Sequence, residues 1–281
     1  MRLIPGAVLL ASLFLIPMPA SAAEAVDDSP ALSKVGSMAF VAGHLTEVVT
    51  PPGGGFSLEL SHGYRLMFDL AEEVCPPYCG VDSDTFWIGE KPYSSYEAVV
   101  DSTSGDIGPT LNVDRVLIGT TTVLQTSVPI GVGFSRSLRW MNTTGTEVFE
   151  GVRVSSGQCT TNCGPDDVYT IRGYETTYSI PRFNNAGTQI TVLLLENPNN
   201  YVINANVYFW DTSGAQQGSQ AFVLGPKQVV VFNTATVAPG VGGSVTIAHD
   251  GRYGDLAAKT VALEPSTGFS FDSPALPRPL R

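Results

Sequence analysis

The chain has 281 residues, with 15 Lys and Arg against 26 Asp and Glu, so its formal net charge at pH 7 is −11. A surface this acidic repels phosphate backbones and anionic head groups, which excludes nucleic acid and membranes as expected partners. Glycine (29 residues) and proline (20) are abundant and only 15% of the residues are charged. This composition favours strands joined by tight turns, and we predict an all-β fold.

Residues 1–22 predict a secretory signal peptide. Arg2 precedes an apolar run from Ala7 to Ile16, and Ala20–Ala22 forms a small-x-small cleavage site. The run is shorter than the roughly 18 apolar residues of a transmembrane helix, and no later segment reaches that length. We therefore expect an exported protein, located in the medium, at the cell surface or in the periplasm, that does not insert into a membrane after cleavage.

Residues 23–54 predict a short N-terminal strand and a linker that ends in two prolines and three glycines. The next stretch, Phe56–Leu70, alternates apolar and polar residues on both sides of His62 and Gly63. Such alternation around a turn predicts a β-hairpin at the start of a larger β domain.

Two similar loops follow in this domain, CPPYCGVDSDTFWI (residues 75–88) and CTTNCGPDDVYTI (residues 159–171). Each contains two cysteines four positions apart, then glycine, aspartates and a strand-like run. Four cysteines in an exported chain predict two disulfides, for which three pairings exist.

Pairing within each loop, Cys75 with Cys79 and Cys159 with Cys163, is worth roughly 2 kcal/mol per bond, and pairing across the loops roughly 4.6 kcal/mol. Cross-pairing also requires Cα atoms within about 7 Å of each other, which the sequence does not guarantee. We therefore favour local pairing. Cross-pairing and a four-thiolate zinc site stay open as alternatives.

Four aspartates follow the cysteine loops, namely Asp82, Asp84, Asp166 and Asp167. Oxygen-rich turns at one end of a sandwich suit calcium, so a calcium site is one hypothesis for these carboxylates. Aspartates before a strand are also ordinary turn formers, and that interpretation is the simpler one. We expect no other cofactor.

The run from Asp84 to Val116 contains an aspartate, an aromatic strand, a second strand, an aspartate-bearing turn and an LxVxR strand. With Ser137–Trp140, Val152–Val154 and Asp167–Ile171, it resembles the bacterial pre-peptidase C-terminal domain over roughly residues 55–175. The resemblance implies a jelly-roll-like β-sandwich of the kind appended to secreted hydrolases, with no catalytic residues of its own. The two CxxxC loops depart from that family's pattern.

Residues 176–273 predict a second β-sandwich, of jelly-roll or fibronectin-like type. Strand-like runs recur about every ten residues, and the turns NPNN (197–200) and DTSG (211–214) separate them. This part loosely resembles the β-sandwich surface modules of bacterial secreted proteins. The last residues, 274–281, form a proline-rich tail that we expect to be extended or disordered.

Catalytic signatures are missing from the sequence: it contains neither GxSxG nor HExxH. His249 and Asp250 are neighbours in a strand, where their side chains point to opposite faces. We expect His62, in a turn, and His249, at a strand end, to be exposed. No catalytic residue is predicted.

Aromatic residues that alternate within strands are expected in the core. Tyr93 and Tyr201 lie in proline- or asparagine-rich turns, so we predict these two as ligand contacts. The sequence thus predicts an exported, non-catalytic protein of two β-sandwiches that binds an extracellular protein or glycan, or packs at the cell surface. Two alternatives remain: a hydrolase of glycans or peptides whose carboxylates converge only in the fold, and a calcium-stabilised structural subunit. The oligomeric state is not defined by the sequence.

Overall fold

The computed structural model describes residues 47–49, 66–69, 83–102, 111–117, 120, 122–129, 135–156 and 168–278. Within these ranges the chain forms nineteen β-strands and one turn of 3-10 helix, Thr234–Thr236. The predicted all-β class is confirmed. The described ranges contain no helix with the length and apolar character needed to cross a bilayer.

The first ten strands, numbered in chain order, form two five-stranded sheets. Sheet A contains, in spatial order, β1 (Glu47–Val49), β3 (Ser83–Glu90), β9 (Val148–Ser156), β5 (Leu111–Leu117) and β6 (Val123–Thr126). Sheet B contains β2 (Leu66–Asp69), β10 (Val168–Glu175), β4 (Ser94–Ser102), β8 (Ser135–Asn142) and β7 (Val128–Pro129). Strands β1 and β3 are parallel, and the other neighbouring strands are antiparallel.

The connectivity of this sandwich is that of a jelly roll. Strands β2, β10, β4 and β8 lie side by side in sheet B, and β3, β9, β5 and β6 lie in the same manner in sheet A. The chain crosses between the sheets after each of β1, β2, β3 and β4 and again after β6, β8 and β9, so each sheet is built from strands distant in sequence. The predicted β-sandwich is therefore confirmed, while the family resemblance stays a prediction.

Period-2 alternation builds the core of the first sandwich. Phe86 and Ile88 on β3 point inward with Val152 and Val154 on β9, because side chains two apart share one face of a strand. The buried cluster comprises Phe86, Ile88, Tyr96, Ala98, Val100, Leu111, Val113, Leu138, Trp140, Val152, Val154, Tyr169 and Ile171. These residues come from both sheets, which shows that A and B pack face to face.

The remaining strands form a second pair of sheets. Sheet C contains β14 (Gln216–Leu224), β13 (Ile203–Asp211), β16 (Gly242–His249), β11 (Tyr178–Asn184) and β19 (Leu276–Pro277). Sheet D contains β15 (Val229–Asn233), β12 (Ile190–Glu196), β17 (Ala257–Glu264) and β18 (Phe269–Pro274). Their shared core comprises Ile180, Phe183, Leu193, Leu195, Ile203, Ala205, Val207, Phe209, Leu224, Ala238, Val245, Ile247 and Leu256.

The turn residues of the second sandwich behave as their chemistry predicts. Asp211 accepts hydrogen bonds from the backbone N–H groups of Ser213 and Ala215, and Gly214 takes a φ of 85°. Asn197 is fully buried and donates from Nδ2 to the carbonyls of Tyr201 and Leu224. Side-chain amides and carboxylates thus satisfy backbone groups that the strands leave unpaired.

We expect Gly243→Ala to destabilise the second sandwich by about 1–3 kcal/mol, the usual effect of overpacking. A Cβ at Gly243 would lie 1.8 Å from the Trp210 carbonyl oxygen and 2.8 Å from the Asp211 Cα, so β13 and β16 would have to separate. At Gly225 a Cβ would meet only the flexible Gln228 side chain, at 3.2 Å. Urea unfolding of the two alanine variants should show a lower midpoint for Gly243→Ala alone; equal midpoints would contradict the close approach.

Candidate functional site

The outer face of sheet B packs against the outer face of sheet C. Strand β16 lies against both β4 and β8. Ser95 and Ser137 from sheet B and Ala248 from sheet C are buried there, and such small side chains let two sheets approach closely. The four sheets therefore stack in the order A, B, C, D. We call the contact between B and C the inter-sandwich interface, and it includes the turns that lead into β4 and out of β16.

Tyr93 lies at one end of this interface, in the turn between β3 and β4. Its ring contacts Tyr208, at 4.6 Å between centroids, and Trp210, at 5.2 Å. Its φ of 52° is unusual for a non-glycine residue. Gly145 makes room for the ring, because a Cβ there would lie 2.7 Å from the Tyr93 hydroxyl oxygen. Tyr93 therefore anchors the first sandwich on the second.

Hydrogen bonds fasten the segment that connects the two sandwiches, Thr176 and Thr177, to β4, and one further bond crosses between the sandwiches. The Ser95 N–H donates to Thr177 Oγ1 at 2.8 Å, and the Thr176 N–H donates to the Ser95 carbonyl at 2.8 Å. The Tyr253 N–H donates to Glu97 Oε2 at 2.9 Å, across the interface. Because these groups are withdrawn from water, losing one partner would leave a buried polar group unsatisfied.

Glu97 is a carboxylate only 4% exposed in this interface. Burial raises its pKa, although the Tyr253 N–H, the Ser137 hydroxyl and two arginines, Arg139 and Arg252, act in the opposite direction. The Ser137 hydroxyl donates to Glu97 Oε1 at 3.1 Å. The protein thus holds this carboxyl group with donors from both sandwiches.

Tyr201 lies under two guanidinium groups, those of Arg139 at 5.1 Å and Arg252 at 5.9 Å from the ring centroid. Its hydroxyl donates to the Asp255 carboxylate. Burial, followed by the hydrogen bond to Asp255, raises the pKa of Tyr201 to about 12. Like Tyr93, Tyr201 is part of the inter-sandwich interface, and the ligand-contact role of both tyrosines stays a prediction.

Glu175, at the end of β10, pairs with two cations, Lys91 in the turn after β3 and Arg278 in the C-terminal segment. Lys91 Nζ lies 2.9 Å from Glu175 Oε2, and Arg278 Nε lies 3.3 Å from Glu175 Oε1. Arg278 also donates to the Tyr93 carbonyl at 2.9 Å. The proline-rich stretch from Pro274 is therefore tied down up to Arg278, with Leu276 and Pro277 paired to β11 as strand β19.

A carboxyl pair that sequence reasoning did not single out lies inside the first sandwich. Glu90 and Glu150 are 2% and 8% exposed and share a hydrogen bond. Trp140 Nε1 donates to Glu90 Oε1 at 2.6 Å, and Arg115 Nε lies 2.8 Å from Glu150 Oε2. Burial, then the hydrogen bond and charge of Glu150, raises the pKa of Glu90 to about 8.

The geometry of this pair bears on the hydrolase alternative. Glycosidases keep their two carboxyl groups roughly 5 Å or more apart, to admit a sugar carbon or a water molecule. Glu90 instead interacts directly with Glu150, and Trp140 and Arg115 lie against the pair. Such an arrangement can store one proton in the core.

The prediction that His249 is exposed is wrong: its side chain is 0% exposed. Its Nδ1 accepts a hydrogen bond from the Gly251 N–H at 3.1 Å, and its ring stacks on Tyr178 at 5.6 Å between centroids. Burial lowers the pKa of His249 to about 4. His249 is buried because side chains two positions apart share one face of a strand, and His249 follows Val245 and Ile247 on the inward face of β16.

A cavity of about 550 Å³ lies beside the first residues of β16, at the opposite end of this strand from His249. The register shift in β11 between Ile180 and Phe183 falls within the lining of this cavity. Its lining comprises Pro181, Arg182, Phe183, Asn184, Asp211, Thr212, Gly242, Gly243 and Ser244. Asp211 is the carboxylate of this lining, and hydrogen bonds, first from the Ser213 hydroxyl, hold its pKa below the ordinary value.

The predicted disulfide and calcium residues fall largely outside the described ranges. This holds for Cys75, Cys79, Cys159, Cys163, Asp82, Asp166 and Asp167; Asp84 is in β3, but its side chain is not described. Within the described part of the chain, no three His, Cys, Asp or Glu side chains group in a way that could hold a metal ion. The disulfides and the calcium site stay predictions.

No family model matches this chain, and no curated protein matches it significantly. Among solved structures, it is similar to the D431N mutant VP2 protein of infectious bursal disease virus in derived T=1 particles. The identity is 14%, the match covers 66% of this chain and 62% of the VP2 chain, and the TM-score is 0.14. A similarity at this score carries no argument about function.

Proposed function

We propose that this chain is an exported, non-catalytic protein that acts in binding, adhesion or structural packing at the cell surface or in the extracellular medium. Its partner in that role is an extracellular protein or glycan. The proposal treats the two sandwiches as one rigid body, so that surfaces on sheets A and D keep a constant separation and orientation.

The inter-sandwich interface is the observation that carries this proposal. Its buried carboxylate, Glu97, receives donors from both sandwiches, and the Tyr93 ring of the first contacts Tyr208 and Trp210 of the second. Domains of one chain move relative to each other by default unless extensive contacts fix them, and here the aromatic contacts and the shared carboxylate provide such contacts. A protein that separates and reorients its domains would not bury a carboxylate between them.

The position of the titratable groups also supports a non-catalytic role. Glu90, Glu150 and His249 are the kinds of residue that general acid–base chemistry uses, yet all three are buried against neighbouring side chains. A catalytic group must come within hydrogen-bond reach of a substrate atom. In the described residues these three groups reach only other parts of the chain.

A hydrolysis screen with a fractionation step tests the proposal. The protein should appear in the extracellular or cell-surface fraction and should leave generic peptide and glycan substrates intact between pH 4 and 9. Turnover that Glu150→Gln abolishes, in a variant with wild-type circular dichroism, would contradict the proposal and support the hydrolase alternative. Glu196→Gln, on the exposed side of β12, is the matched control.

A further inference from the structure

The edge strands of the four sheets differ in how they are protected against pairing with another strand. Six of the eight edges are blunted: β1, β2, β6, β7 and β19 have four residues or fewer, and β18 contains Asp272 and Pro274. Short edges, proline and charge are the usual devices that prevent edge-to-edge pairing. Two edges at the same side of the second sandwich, β14 and β15, have none of these three devices, and β14 has a bulge only at Gln217, near its start.

Strand β14 is the longer of these two edges, with nine residues from Gln216 to Leu224. It contains no charged residue and no proline, and within the described ranges it pairs only with β13. Its other edge offers backbone N–H and C=O groups along roughly 30 Å. Val223 on this strand is 69% exposed. Strand β14 therefore has the length and the composition of a strand that accepts another strand, and its outer edge is paired with no described strand.

We propose that β14 pairs antiparallel with β14 of a second copy of this chain, which joins two C sheets into one continuous ten-stranded sheet. An antiparallel edge is self-complementary about a two-fold axis, so one strand supplies both halves of the contact. A chain with a net charge of −11 repels its own copies over most of its surface. The uncharged β14 lets two copies approach without bringing like charges into contact.

The two-fold axis defines which residues face each other. With the axis at Gln220, the middle of the strand, Ser219 of one copy lies opposite Ala221 of the other, in the regular part of the strand after the bulge at Gln217. Both side chains are exposed in the single chain, so the pairing needs no change in the core. This inference rests on the proposed function in one respect, because it names a second copy as the partner in structural packing.

Analytical sedimentation of the purified protein tests the dimer. The double variant Ser219→Lys, Ala221→Lys tests the contact, because it places like charges opposite each other across the axis. The wild type should sediment as a dimer at micromolar concentration. Ser219→Lys with Ala221→Lys should weaken the dimer at least 100-fold and leave circular dichroism unchanged. Ser270→Lys, on the blunted edge β18, is the matched control and should remain dimeric.

A charge-complement experiment identifies the strand. Mixing the double-lysine variant with a Ser219→Glu, Ala221→Glu variant should restore a dimer, now a heterodimer, because opposite charges face each other. A monomeric wild type, or a double-lysine variant that dimerises like the wild type, would overturn the inference. If the protein neither dimerises nor hydrolyses a substrate, only the dimer inference is overturned and the proposed function stands. If the protein dimerises and also hydrolyses a substrate, only the proposed function is overturned.

Discussion

We expect Glu90→Gln to make the protein more stable than the wild type at pH 8.5, by as much as about 5 kcal/mol, and to change stability little at pH 5. The folded protein raises the pKa of Glu90 from 4.5 to about 8, mainly by burial. Glutamine mimics the protonated carboxyl: its oxygen can accept from Trp140 and its amide can donate to Glu150. The variant therefore keeps an uncharged side chain at position 90 at alkaline pH, where the wild-type glutamate becomes charged.

The sign of this effect follows from proton binding. Between pH 4.5 and about 8 the folded state holds a proton on Glu90 that the unfolded state has released. Stability is therefore complete below pH 4.5 and falls as the pH rises through 8. Glu97, whose pKa is also raised by burial, contributes in the same direction.

His249 changes the free energy of unfolding at acidic pH, in the opposite direction to Glu90. Burial lowers its pKa from 6.5 to about 4, so in that interval the unfolded state binds the proton and the folded state does not. Stability is therefore lost as the pH falls from 6.5 to 4, by roughly 3 kcal/mol. The wild type should have a broad stability maximum between about pH 4.5 and 6.5, where the contributions of Glu90 and His249 oppose each other.

Urea unfolding at intervals of half a pH unit from pH 4 to 9 measures both the acidic and the alkaline loss of stability. The wild type should lose stability above pH 6.5, and Glu90→Gln should retain most of it. Glu196→Gln removes an exposed carboxylate and should follow the wild-type curve. An alkaline limb that is the same in Glu90→Gln and in the wild type would show that Glu90 is not protonated in the core.

Arg115→Met should destabilise the first sandwich by about 3–5 kcal/mol at pH 7, because it leaves a buried charge on the carboxyl pair without a partner. Arg115 Nε lies 2.8 Å from Glu150 Oε2, and both side chains are largely buried. The double variant Arg115→Met, Glu150→Gln removes both charges and should recover most of the loss.

An exposed ion pair provides the matched control for this experiment. Lys259 Nζ lies 2.6 Å from Asp272 Oδ2, and both side chains are about half exposed. Lys259→Met should cost less than about 1 kcal/mol, as is usual for surface pairs. Equal losses in Arg115→Met and Lys259→Met, measured by urea unfolding, would contradict the role of Arg115 in holding the buried charge.

The all-β class and the sandwich architecture could be predicted because both depend on local signals. Alternation such as Phe86 and Ile88, and turn chemistry such as Asp211 with Gly214, act within a few residues. The jelly-roll order depends on pairings such as β2 with β10, whose members are about a hundred residues apart. No local pattern encodes those pairings.

The buried polar residues were missed, although the phase of each strand indicates them. Glu90 continues the inward series of Phe86 and Ile88, and Arg115 continues that of Leu111 and Val113. His249 stands in the same relation to Val245 and Ile247. A position at the end of a strand suggests exposure. The alternation of side chains along each strand nevertheless directs all three side chains toward the interior. Their partners come from other strands, which only the fold brings near.

The inter-sandwich interface was beyond sequence reasoning for a different reason. Outer sheet faces are expected to meet water, and the small side chains of Ser95, Ser137 and Ala248 have no feature that distinguishes a packed face from a solvated one. Tyr93 and Tyr201 were predicted from their turns as ligand contacts. The structure places both rings against side chains of the opposite sandwich.

Hydrogen exchange at the Tyr253 amide tests most directly whether the two sandwiches form one body. This amide lies in the turn after β16 and donates to Glu97 of the first sandwich at 2.9 Å. We expect exchange at least ~100-fold slower than in an unfolded peptide, with protection lost in Glu97→Ala. Exchange at the unfolded rate in the wild type, with the strand amides still protected, would contradict a rigid union of the two sandwiches.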